Sequence, residues 1–134
     1  ANIAIELSQR SRSTVSCVGG QISSSTLSLS GPQAEAFLAT VNIDTAVLAA
    51  TGYSAGAGFT VGSYTENSLK RRVIQKADKV ILLIDRSKLG RTLPFTFASL
   101  SDIDVVICDA PLPEDFIQAA RAAGTEVLQV QPAK

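Results

Sequence analysis

The chain has no histidine, no methionine and no tryptophan. Without histidine it lacks the commonest metal ligand and the commonest proton carrier near neutral pH. Without methionine it has no natural start codon of its own, so it reads as a fragment of a longer protein. Surplus charge is missing too. Twelve basic residues balance twelve acidic ones, which argues against this segment itself gripping a nucleic-acid backbone. No run of about 18 apolar residues occurs, so no spanning helix and no membrane partner are expected, and the opening ANIAIELSQRSRS lacks the apolar stretch of a signal peptide. Cysteine is scarce: Cys17 and Cys108 stand far apart, without C-x-x-C spacing, each in an apolar stretch. That usage predicts two buried, reduced thiols and a cytoplasmic protein.

What is present is a globular balance, 46% apolar and 18% charged over 134 residues, enough for one domain with a real core. Strand and helix patterns alternate. A helix end is predicted at 3–9, a short strand at 14–18 closing on Gly19-Gly20, and an edge segment or loop over the Ser-rich 21–30. Gly31-Pro32 opens a helix. Strands follow at 44–50, 79–85, 104–108 and 126–130, with a further short one at 94–100. Residues 51–63, TGYSAGAGFTVGS, read as a Gly-rich loop; Thr65 is the expected N-cap of a helix running to Ala77. Pro113 begins a last helix, which Gly124 stops. Such alternation predicts a doubly wound, mainly parallel α/β sheet flanked by helices. Because the chain starts in a helix, its first strand–helix unit is expected to be missing upstream.

The stretch ADKVILLIDRSKLG carries the site expectation. Val80, Ile81, Leu82, Leu83 and Ile84 form an unbroken apolar run, the mark of a strand covered on both faces. Ligands bind beyond the carboxyl ends of such strands, where this one delivers Asp85, Ser87 and Lys88. Gly52 opens the Gly-rich loop, whose backbone can approach a ligand closely. Glu66 and Lys70, spaced i, i+4 on the next helix, are either a surface ion pair or two groups turned toward the same edge. Asp104 and Asp109 read as turn punctuation. No metal-ligand cluster and no cofactor fingerprint is found; Gly52, Gly56 and Gly58 miss the G-x-G-x-x-G spacing.

These motifs together resemble the C-terminal sensor domain of DeoR-family bacterial transcriptional repressors. The likeness rests on Gly58-Phe59-Thr60, on Glu66 with Lys70-Arg71, and on Ala77-Asp78 through Asp85-Arg86-Ser87-Lys88-Leu89-Gly90. VGG at Val18 and SGPQAEAFL at Ser30 support it upstream. Downstream, the closing strand–helix–strand has Cys108 before Asp109 where the family usually has a Thr-Asp pair. The resemblance implies a fold similar to ribose-5-phosphate isomerase A and the CoA transferases. It also implies one effector-sensing domain over residues 1–134, with its winged helix-turn-helix outside the chain. The expected ligand is a phosphorylated sugar, held by Gly52, Glu66, Lys70, Asp85, Ser87 and Lys88, with no catalytic residue. Operator DNA would be bound through the absent domain, and the full protein would be a homo-oligomer controlling carbohydrate metabolism. The alternatives are an aldose–ketose isomerase of the same fold, using Asp85 or Glu66 as base, and a pure oligomerisation module pairing through Leu27 and Leu29.

Overall fold

A computed structural model describes residues 1–131. The backbone forms two compact units, Ala1–Val41 and the remainder from Asn42. In the first, helix α1 (Asn2–Arg10) is followed by irregular chain and by a two-stranded antiparallel ribbon of β1 (Gln21–Ile22) and β2 (Leu29–Ser30). Helix α2 (Pro32–Ala39) then starts with its proline in the first turn, directly after Gly31 at φ 102°. Proline's fixed φ suits that position and its missing N–H is not needed there.

Two expectations fail in this unit. Residues 14–18 are not a strand: a strand needs a neighbour for its N–H and C=O groups, and among the described residues none pairs with this stretch. Gly19-Gly20 therefore does not close a strand of the parallel sheet. Cys17, expected to be buried, is exposed for the same reason.

The second unit carries two sheets. Strands β3 (Ile43–Ala49), β6 (Ala77–Ile84), β8 (Val105–Cys108) and β9 (Glu126–Gln129) form a parallel sheet in that order. Strands β4 (Gly52–Ser54), β5 (Gly58–Val61) and β7 (Phe95–Ala98) form an antiparallel one. Helix α3 (Tyr64–Lys76) lies between β5 and β6, and α4 (Glu114–Ala123) between β8 and β9. Mainly parallel pairing flanked by helices is the architecture the alternation predicts. The Gly-rich segment is the exception: it is a β-hairpin rather than a loop, Tyr53 pairing with Phe59 and Ser54 with Gly58. Its glycines break the apolar alternation that would have marked two strands. The α3 cap also differs. Ser63, not Thr65, accepts the Glu66 N–H, in the S-x-x-E spacing of a capping box.

Parallel pairing puts partnered residues on one face. Leu48, Leu82, Val106 and Val127 share a row, as do Ile84 and Cys108. These meet Tyr53, Phe59, Val61 and Phe97 of the antiparallel sheet and Phe116 and Ala120 of α4 in one apolar core. Leu82, Val106 and Phe59 are fully buried. The opposite face carries Val47, Leu83 and Leu128, all exposed, so among the described residues the unbroken apolar run of β6 is fully covered on one side only. An apolar run states that both faces are hydrophobic; what covers each is decided elsewhere in the chain.

Candidate functional site

The carboxyl ends of the four parallel strands are level. Ala49 lies beside Leu83, and Ile84 lies beside Cys108, which lies beside Gln129. A crevice of about 420 Å³ opens across these ends, with Ala49, Ile84, Asp85, Lys88, Asp109 and Val130 among its walls.

Asp85 follows β6 directly and caps a short 3-10 turn, Arg86–Lys88. Its carboxylate accepts the Ser87 N–H at 2.9 Å and the Ser87 hydroxyl. The Ser87 hydroxyl, assisted by its N–H and the nearby Lys88 ammonium, holds the Asp85 carboxyl below the usual range. Lys88 Nζ stands 3.7 Å from the other carboxylate oxygen and both side chains remain partly open to water, so the pair is a solvated contact that leaves the ammonium available. Asp109 takes the matching position after β8. Its Oδ1 accepts the Arg86 N–H at 3.3 Å and faces the Cys108 thiol at 3.7 Å. Burial raises the Cys108 pKa, so the thiol stays protonated.

Helix α3 borders the same edge, because it connects a hairpin that follows β3 to the start of β6. Lys70 Nζ donates to the carbonyl of Ala49, the last residue of β3, at 2.7 Å and stands 5.2 Å from the Phe97 ring centroid. Its ammonium thus takes up the final carbonyl of an edge strand. Desolvation lowers its pKa and the charge of Glu66 opposes that shift. Glu66, one turn earlier at i−4, lies on the helix face that continues past the end of β3.

The six residues picked out in the sequence thus fall into four groups. Asp85 and Lys88 line the crevice. Lys70 and Glu66 stand on α3 at its border, and Ser87 orients Asp85 from an exposed position. Gly52 is elsewhere, inside the antiparallel sheet, where an added Cβ would come within 2.6 Å of the Arg91 carbonyl and 2.7 Å of Leu93. That close packing is enough to require glycine there. Asp109 is the residue the sequence reading passed over. Its signal was the one that singled out Asp85, an acid directly after a buried apolar strand, masked by the proline-rich turn behind it. Asp104, also set aside, sits at the opposite end of the sheet and accepts the Val80 N–H at 2.7 Å. Among the described residues no trio of Cys, Asp or Glu is arranged to hold a metal ion. Chemically, the crevice offers carboxylates that accept ligand hydroxyls and an ammonium that can face an anionic group.

A family profile described as "DeoR C terminal sensor domain" matches residues 1–110. The HTH-type transcriptional regulator GlpR of Haloferax volcanii is 36% identical over 126 residues, covering 94% of this chain and 49% of that protein. The HTH-type transcriptional repressor GlcR of Bacillus subtilis is 31% identical, covering 95% of this chain and 49% of its own length. The glycerol-3-phosphate regulon repressor of Escherichia coli is 27% identical over 87% of this chain and 46% of its own. The chain thus spans about half the length of the curated relatives it matches.

Proposed function

The chain belongs to the DeoR C-terminal sensor domain family, and we propose that it binds a phosphorylated sugar at the carboxyl edge of its parallel sheet. Occupancy then alters how the whole protein engages operator DNA. The observation that carries this reading is the crevice shared by Asp85, Lys88 and Asp109 at level strand ends. Lys88 faces the phosphate and the two carboxylates accept hydrogen bonds from the sugar hydroxyls. Glu66 and Lys70 stand at the α3 border, and Ser87 keeps Asp85 ionised and oriented. The name of one relative, a glycerol-3-phosphate regulon repressor, ties that protein to the metabolism of a phosphorylated polyol, in keeping with a phosphorylated effector here.

A sensor needs different affinities in two states rather than a catalytic set, and the relatives named above are regulators, so the reading includes no turnover. It places DNA binding in a segment outside this chain, the protein in the cytoplasm, one sensing domain over residues 1–134, and a homo-oligomer as the working form. Among the described residues no helix is long and apolar enough to cross a membrane. The test is calorimetry of the full-length protein against a panel of sugar phosphates, with and without Lys88→Ala. Saturable binding that weakens in the variant supports the assignment. A folded protein that binds none of them overturns it.

A further inference from the structure

A second crevice, of about 430 Å³, lies away from the strand ends, between the hairpin and the start of α4. Tyr53, Ser54, Leu89, Gly90, Asp115 and Phe116 are among the residues that line it. Tyr53 is only 8% exposed. Its ring is braced by Phe59 and Phe116, each with centroids 4.8 Å away. Among the described residues nothing hydrogen-bonds its hydroxyl. Burial raises the phenol's pKa and the Asp115 charge raises it further, so the group is a protonated donor left without an acceptor. The oxygen is not sealed from solvent, the buried orphan among the described residues being Asn67 Oδ1 instead, so the phenol is free to donate to a molecule entering the crevice it lines. Asp115 accepts the Phe116 N–H at 2.9 Å through Oδ1, and its second oxygen has no partner among the described residues.

We propose that this crevice binds a small uncharged polyhydroxy compound. Its hydroxyls would donate to the free Asp115 oxygen and accept from the Tyr53 phenol, while its C–H face packs on Leu89 and Phe116. Two hydrogen-bonding groups of opposite sense on otherwise apolar walls are the usual make-up of a small-ligand pocket. Asp115 and the neighbouring Glu114 on the first turn of α4 disfavour a phosphate, so the site selects a different ligand class from the strand-end crevice. The two are physically linked. The Gly90 N–H donates to the Tyr53 carbonyl at 2.8 Å, and Gly90 ends the segment that begins with Asp85.

The chain offers its own reporter. It has no tryptophan and two tyrosines, and the second, Tyr64, is exposed. In Tyr64→Phe the tyrosine emission comes from Tyr53 alone. Glycerol, myo-inositol and glucose are titrated into that variant, followed by glycerol 3-phosphate and glucose 6-phosphate. The expected result is a saturable change with at least one neutral polyol, absent with its phosphate ester. Adding Asp115→Ala should weaken binding about tenfold or more, the loss of one hydrogen bond to a charged acceptor, with the far-UV spectrum unchanged. Lys88→Ala should leave it as it was, which separates this site from the strand-end crevice. No saturable response to any polyol, a response that survives Asp115→Ala, or one abolished by Lys88→Ala overturns the proposal.

Discussion

Gly58→Ala separates a structural role for the Gly-rich segment from a ligand-cradling one. Gly58 stands at φ 76°, where the hairpin turn enters β5, and an added Cβ would fall 2.5 Å from the Ala98 carbonyl oxygen of β7. The left-handed conformation costs an alanine about 1–2 kcal/mol. The second contribution is the overlap with backbone of the neighbouring strand, which cannot swing aside as a side chain could; relieving it shifts β5 against β7 at a cost of roughly 1–3 kcal/mol. The sum is about 2–5 kcal/mol, or roughly 8–20 °C in Tm for a chain of this length. Gly56 is the internal control, since its φ is not positive and nothing lies within 4 Å of its added Cβ. Gly56→Ala should change stability by no more than about 0.5–1 kcal/mol in either direction. Urea unfolding of the two variants beside the parent, followed by circular dichroism, gives the comparison. Equal stabilities for the two variants would refute the hairpin argument. A Gly56→Ala protein that keeps its stability but loses ligand binding would restore the cradle reading.

Three further outcomes follow from the same geometry. Leu82→Ala, in the fully buried row of the parallel sheet, should cost about 2–5 kcal/mol, whereas Leu83→Ala on the exposed face should cost under about 1 kcal/mol; similar losses in urea titrations would mean that the second face is covered. Cys17 should react with a thiol reagent far faster than Cys108, whose buried thiol has a raised pKa, and equal rates in native protein would contradict that assignment. Lys70 has a lowered pKa in the folded chain, so between the folded and unfolded values the unfolded state binds more protons and stability rises with pH. Lys70→Met should flatten that rise on the alkaline side of neutrality, seen in Tm measured against pH, and an unchanged profile would rule out Lys70 as its source.

Much of the fold is legible because the parallel strands are local signals. Residues 79–85 announce a strand by a run of apolar side chains, and α4 announces both its ends with Pro113 and Gly124, the latter at φ 78° beyond the last turn. What fails to be legible depends on partners distant in sequence. Nothing within 14–18 tells that no strand among the described residues will pair with it, and nothing within 80–84 tells that those residues will fully cover only one face. The hairpin is hidden for a different reason. Its glycines satisfy tight approaches to Arg91 and Ala98, segments far along the chain, and so look like flexibility when read locally. At the site, Asp85 and Lys88 follow from the strand-end rule alone, while Lys70 shows the limit of helix spacing. The i, i+4 interval from Glu66 fixes which face the lysine occupies, but its partner is a carbonyl 21 residues earlier.

The order β3-β6-β8-β9 is also the order of the chain. Each strand is laid against the outer edge of the one before it, and none has to be inserted between two already paired. The sheet can therefore assemble in the sequence in which it is synthesised, at roughly 5–20 residues per second, with every intermediate presenting a single growing edge. The strand-end crevice is finished last, because Val130, directly after β9, forms one of its walls. A nascent or C-terminally clipped chain that has not yet placed β9 would carry Asp85, Lys88 and Asp109 without the closed crevice they share.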